Sequence, residues 1–197
     1  MNKLIILVGE SGSGKSTLEQ KLVDMEIASK VISCTTRPRR DFEVQGFDYH
    51  FIDRVAFRAY YVNDSFLETT KYVMGGDKIV HYGMLKSDLS LGQGNKVCVL
   101  NPHGAEQAIE KLGKENVIVV YIKRDLKTRF IDSLKRCSSE TFRETLSNAV
   151  KRLEVDDKDF AGIENKVDYV VTNDGDIEDT VHDLVRVLLK AGVTFEV

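Results

Sequence analysis

An apolar run, Leu4-Ile5-Ile6-Leu7-Val8, passes directly into Gly9-Glu10-Ser11-Gly12-Ser13-Gly14-Lys15-Ser16-Thr17, so a G-x-x-x-x-G-K-S/T loop lies where a buried strand would end. Strand, glycine loop and helix in that order are the context in which this spacing binds phosphate. The glycines open backbone conformations closed to residues with a Cβ, and successive main-chain N–H groups can then converge on one anion. The helix predicted to begin near Lys15 aims its positive end at the same point. Lys15 can reach the β- and γ-phosphates of a nucleotide, Ser16 can present its hydroxyl to Mg2+, and Thr17 continues the helix. The chain is therefore expected to bind a nucleoside triphosphate.

Downstream, short β-rich runs alternate with helical patterns, which predicts an α/β fold with a central parallel sheet flanked by helices. Core strands are expected over 4–8, 31–34, 97–100, 117–122 and 169–172, and helices over 15–25, 87–91, 104–112, 126–135, 141–155 and 177–189. The last helix repeats Val181, Leu184, Val185 and Leu188 on one face and reads as sheet packing. Two stretches break the rhythm. Between Thr35 and Tyr82, aromatic strand-like pieces, a short helix-like piece at 56–61 and the turn Gly75-Gly76-Asp77 predict a small inserted mixed-sheet subdomain. Between Lys135 and Arg152 lies a polar, charge-rich segment, read as a flap.

A chain of 197 residues suits one folding unit, and a net charge of −3 with both signs spread along it does not indicate a nucleic-acid surface. No apolar stretch approaches membrane-spanning length, and the N-terminal strand is too short for a signal sequence, which predicts a cytoplasmic protein. Cys34, Cys98 and Cys137 are three widely spaced cysteines without a C-x-x-C pair, expected to be reduced thiols rather than a disulfide framework or zinc site.

The second chemistry-bearing segment is Ser33-Cys34-Thr35-Thr36-Arg37-Pro38-Arg39-Arg40, with three guanidinium groups in four residues. Planar guanidinium forks suit bidentate phosphate binding, and a loop that holds a donor phosphate chain needs an acceptor held opposite it.

Together with Glu43-Val44-Gln45-Gly46-Phe47-Asp48-Tyr49-His50-Phe51, Phe66-Leu67-Glu68, His81-Tyr82-Gly83 and Val171-Thr172-Asn173-Asp174, these segments resemble guanylate kinases in order over nearly the whole chain. The resemblance implies a P-loop core (1–34, 84–134 and 153–197), an inserted NMP-binding subdomain (35–83) and a helical lid (135–152). It implies transfer of a phosphoryl group from MgATP to GMP, and to dGMP. The acceptor phosphate site carries over onto Arg37, Arg40, Tyr49 and Tyr82, with Ser33 nearby. Glu68 resembles the carboxylate that reads guanine, since it can accept from both N1–H and the 2-amino group. Asn101 is assigned to the same GMP site, Asn173 to the ATP site, and Arg129, Arg136 and Arg152 to stabilisation of the transferring phosphoryl group. Read alone, Tyr49 and Tyr82 suit ordinary strand packing, and Asn173 suits a strand-ending turn.

Three departures stand out. Met84 occupies a position where the family usually has Ser or Thr against the base. Asn101 stands where an aspartate is usual, so Mg2+ has less acidic support and Ser16 is the one predicted metal ligand. The interval from Arg129 to Arg152 is longer than the family's lid. Rival expectations are a kinase for another monophosphate and a non-catalytic phosphopeptide-binding module, and the assembly is expected to be a monomer or homodimer.

Overall fold

The computed structural model describes residues 2–74, 78–135, 150, 153 and 155–195. Five parallel strands form the main sheet in the order β2-β7-β1-β8-β9. These are β1 (Leu4–Val8), β2 (Ser29–Lys30), β7 (Lys96–Val99), β8 (Val117–Lys123) and β9 (Tyr169–Thr172). All five residues of β1 are wholly buried, as expected of a central strand covered on both faces. Its side chains alternate between two cores. Ile5 and Leu7 pack with Leu18 and Leu22 of α1 (Lys15–Asp24) and with Val181, Leu184 and Leu188 of the last helix, α5 (Ile177–Lys190). Leu4, Ile6 and Val8 pack with Ala105 and Ala108 of α3 (Pro102–Leu112). Burial of each large side chain contributes about 1.5–3 kcal/mol, so these helices are held by their apolar faces. The last helix also starts on a cap, with the Asp176 carboxylate accepting from the Glu178 amide at 2.8 Å.

The inserted segment forms a second, mixed sheet in the order β4-β3-β6-β5. It comprises β3 (Cys34–Thr35), β4 (His50–Phe51), β5 (Phe66–Met74) and β6 (Lys78–Leu85), with α2 (Arg54–Val62) between β4 and β5. Phe57 of α2 packs on Phe66 with ring centroids 4.5 Å apart. A register shift between Phe66 and Glu68 turns the following residues, so Glu68 lies opposite Met84 and Thr70 opposite Tyr82. Leu67 and Met84 join the α3 side of the main core and tie the two sheets together.

Two expected elements differ. The strand expected over 31–34 is split: Ser29–Lys30 pairs with β7 in the main sheet, whereas Cys34–Thr35 pairs with β4 and β6 in the small one. Val31 and Cys34 are both buried, so the apolar run did not reveal that the chain changes sheets within it. The helix expected over 87–91 is replaced by two single 3-10 turns, Lys86–Asp88 and Leu91–Gln93. So short a segment cannot offset helix nucleation, and it instead packs Leu89 and Leu91 on the core. α4 (Leu126–Lys135) follows β8 as expected. The expected helix over 141–155 and the turn Gly75-Gly76-Asp77 lie largely or wholly outside the described residues.

Candidate functional site

The loop after β1 has the predicted anion-binding shape. Gly12 and Gly14 have φ values of 82° and 93°, and Gly14 caps α1 from the left-handed region. The loop is also crowded: a Cβ on Gly9 would lie 2.6 Å from the Ile122 carbonyl oxygen, and one on Gly14 would meet the Asn173 amide. Lys15 folds across it, Nζ donating to the carbonyls of Gly9 at 2.7 Å and Glu10 at 2.8 Å, and to Ser13 Oγ at 3.3 Å. Ser16 and Thr17 lie exposed in the first turn of α1.

Asn173, expected at the nucleotide, is buried beneath this loop. Its Nδ2 donates to the Ser13 carbonyl at 2.9 Å, and its Oδ1 accepts from Thr180 Oγ1 at 3.0 Å. It links the end of β9 and the start of α5 to the loop backbone. Arg129 is likewise buried against the loop. Its Nη2 lies 3.4 Å from Glu10 Oε1, Nη1 donates to the Ser11 carbonyl at 3.4 Å, and Nε donates to the Arg124 carbonyl at 3.1 Å. Arg124 reaches the Gly12 carbonyl at 3.0 Å and Asp132 at 2.8 Å. Glu10 also accepts from Tyr121 Oη at 3.0 Å, and burial raises that phenol's pKa. Asp156, in the helical stretch 155–159, accepts from the Ser11 amide at 2.8 Å and lies 3.8 Å from Arg129 Nη1. Burial raises the pKa of its carboxyl group, an effect countered by the Ser11 amide and the charges of Lys15 and Arg129.

The small sheet and the loop after β3 carry the predicted acceptor residues. Arg37 is buried, and its Nε donates to Tyr82 Oη at 3.1 Å. Its other nitrogens grip Glu43: Nη1 meets Oε2 at 2.6 Å while Nη2 meets Oε1. The guanidinium stacks 5.0 Å from the Tyr49 ring centroid and 5.4 Å from that of Phe51. Burial lowers its pKa, but the Glu43 and Tyr82 contacts outweigh this and hold it above the usual value. The Arg37 hydrogen bond in turn lowers the pKa of Glu43. Arg40 keeps half its side chain exposed, with its amide donating to Glu43 at 2.9 Å. The Tyr49 and Tyr82 rings meet edge to face at 5.8 Å, and burial raises the pKa of the Tyr49 phenol. Ser33 is half-buried, and its carbonyl accepts from the His50 amide at 2.9 Å.

Farther along this face, Glu68 is buried, with its carboxyl pKa pushed up to about 7 by desolvation. Thr70 Oγ1 lies 3.4 Å from Glu68 Oε2 and 3.3 Å from Asn101 Oδ1. That same Asn101 oxygen accepts from the Gly104 amide at 2.8 Å and caps α3, which gives asparagine a structural reason to be there. Tyr72 meets Tyr82 at 5.6 Å, and burial raises the pKa of its phenol.

The structure thus brings Arg37, Tyr49, Tyr82, Thr70, Glu68 and Asn101 onto one face, and Lys15, Asn173 and Arg129 onto the loop. Arg136 and Arg152 lie outside the described residues. Glu43 was read only as part of a motif, with no role assigned, although its partner Arg37 lies six positions away, and Asp156 escaped sequence reasoning because only the fold supplies its partner, the Ser11 amide. Glu19 did too: one turn after Ser16, it is buried 3.4 Å from Lys30, and desolvation raises its pKa to about 6. Among the described residues no cluster of three His, Cys, Asp or Glu side chains forms a metal cage. The exposed Ser16 hydroxyl is compatible with an oxygen-seeking ion carried in on nucleotide phosphates, whereas Asn101 Oδ1 is committed to its cap.

The sequence model for guanylate kinase matches residues 1–191. A guanylate kinase of Thermus thermophilus is 32% identical over 189 residues, covering 94% of this chain and 80% of that protein. One from Fusobacterium nucleatum is 32% identical over 194 residues, covering 95% and 96%. The crystal structure of guanylate kinase from Anaplasma phagocytophilum superposes with a TM-score of 0.67 at 25% identity, covering 98% of this chain and 87% of that one.

Proposed function

The chain belongs to the guanylate kinase family, and from that premise we infer an enzyme that transfers the γ-phosphoryl group of ATP to GMP, giving ADP and GDP. Membership sets the reaction class; the arrangement that carries the reading to particular residues is the contact between Arg37 and Tyr82 at 3.1 Å, on the face that also holds Glu68. A guanidinium and phenols at one end and a buried carboxylate at the other suit a nucleotide with a phosphate and a guanine.

The site residues are assigned on this basis. The loop amides and Lys15 hold the donor phosphates. Arg37, Arg40, Tyr49 and Tyr82 hold the acceptor phosphate and leave one oxygen free, with Ser33 beside them. That oxygen bonds to the γ-phosphorus in line as the bond to the β,γ-bridging oxygen breaks, and ADP leaves. A phosphate dianion needs no general base. Ser16 would hold Mg2+, which when bound neutralises charge on the donor phosphates. Arg129, already against the donor loop, is assigned to stabilising the transferring group, and Arg136 and Arg152 are assigned to the same task from the resemblance alone. Asn173 supports the ATP site by holding the loop rather than by touching the base. Residues 35–83 form the monophosphate-binding subdomain in this reading and 135–152 the lid. dGMP is expected as a second acceptor, and the cytoplasm as the place of action.

A coupled ADP-release assay with GMP, dGMP, AMP and UMP tests the reading. Fastest turnover with GMP is expected; a preference for AMP, or no turnover with any monophosphate, would overturn it.

A further inference from the structure

Two residues beyond Glu68 on β5, on the same face, the Thr70 hydroxyl sits between two oxygens and is held tightly by neither. Its separations of 3.4 Å from Glu68 Oε2 and 3.3 Å from Asn101 Oδ1 both exceed a normal hydroxyl hydrogen bond. Asn101 Oδ1 is fixed as an acceptor by the Gly104 amide at 2.8 Å, and the Glu68 carboxylate is an acceptor when ionised. Among the described residues, the hydroxyl therefore has only these two long contacts for its proton. Directly across from Glu68, Met84 is wholly buried in the core and brings only a thioether, at best a weak acceptor, to this part of the face.

The order of groups along the face matches the order of atoms along a guanine edge. A carboxylate that accepts from the 2-amino group and N1–H puts the 6-oxo oxygen next in line, and that oxygen needs a donor. Thr70 is the adjacent hydroxyl, and beyond it lies Tyr82, which Thr70 faces across the ladder and which touches the phosphate-binding Arg37 at 3.1 Å. We propose that Thr70 is a guanine-contacting residue whose hydroxyl donates to the 6-oxo oxygen beside the two donors read by Glu68. The proposal rests on the GMP-kinase reading above. In the free protein the weak contacts to Glu68 and Asn101 hold the hydroxyl in place, and the incoming base exchanges them for a shorter bond.

Thr70→Val keeps the β-branched shape of the strand residue and removes only the hydroxyl, and Thr70→Ser restores it. Three acceptors separate its contact from a structural effect: GMP, inosine monophosphate, which keeps the 6-oxo group without the 2-amino group, and 2-aminopurine riboside monophosphate, which lacks the 6-oxo group. In the Val variant KM is expected to rise about tenfold for GMP and for inosine monophosphate. KM for the 2-aminopurine nucleotide and for ATP, and kcat with GMP, are expected within about twofold of wild type, and Thr70→Ser is expected to recover most of the loss. An unchanged KM for GMP in the Val variant overturns the proposal, as does an equal rise for all three acceptors, which would mean that Thr70 acts only by supporting Glu68. Failure of the underlying reading is distinct, because the wild-type protein would then release no ADP with GMP.

Discussion

The Asp156 carboxylate accepts a hydrogen bond from the Ser11 amide at 2.8 Å, so an acid from the helical stretch 155–159 sits on the glycine-rich loop after β1. The donor phosphates and this carboxylate compete for the same kind of partner, and like charges brought together there repel. Replacing Asp156 with Asn removes the charge and keeps the shape. ATP is then expected to bind about three- to tenfold more tightly, a charge-assisted hydrogen bond being the stronger kind. Calorimetric titration with a non-hydrolysable ATP analogue checks this, and equal or weaker binding would show that Asp156 does not oppose the nucleotide.

Gly14 offers a sharper test of how the loop is built. Its φ of 93° costs an L-residue about 1–2 kcal/mol, and an added methyl would also push the Asn173 amide from the Ser13 carbonyl it holds at 2.9 Å. Gly14→Ala is expected to lower Tm by several degrees and weaken ATP binding more than tenfold, with GMP binding little changed. Near-normal ATP affinity would mean that Asn173 does not govern the loop's shape.

Glu43 is expected to matter for the acceptor site without touching GMP. It is buried, and both its oxygens meet the Arg37 guanidinium. Glu43→Ala leaves a buried cation without its partner, which costs about 3 kcal/mol and lowers Tm by roughly 10 °C. KM for GMP should rise while KM for ATP stays put. The pH dependence has a definite sign: a carboxyl whose pKa is lowered from 4.5 adds stability above that value and loses it as pH falls through the folded value. Acid unfolding of the wild type should therefore be steeper than that of the Ala variant.

What the sequence disclosed followed from how local the signal was. β1 and the loop were legible because an apolar strand, three glycines and a lysine carry their geometry within fourteen consecutive positions. The acceptor assignments came from resemblance, because Tyr49 and Tyr82 look like any strand tyrosine until Arg37 is seen to contact both. Asp156 was invisible for a related reason: it lies 145 positions from the amide it meets. The run 31–34 misled because burial is shared by both sheets and hydropathy cannot tell which one a strand joins.

In the GMP reading, Glu68 is expected to tie affinity for the base to pH. Burial pushes its pKa up to about 7, against the opposing pulls of the Met84 amide, the Thr70 hydroxyl and the charge of Lys111. Reading N1–H and the 2-amino group requires both carboxylate oxygens as acceptors, so protonation removes one of them. The apparent affinity for GMP is expected to fall below pH 7, approaching tenfold per pH unit. The GMP phosphate also titrates near pH 6, and Glu68→Gln separates the two effects because the variant keeps the phosphate's dependence and loses its own. Stability moves the other way. A carboxyl group with a folded pKa raised from 4.5 stabilises the fold below 4.5 and loses that contribution as pH rises through about 7, a total of about 3 kcal/mol. Glu68→Gln should thus melt above wild type at pH 8 and lose that advantage at pH 4.5, while binding GMP weakly at both. Parallel pH profiles of GMP affinity in the two proteins, or a Tm difference that does not vary with pH, would show that the buried carboxyl does not titrate in this range.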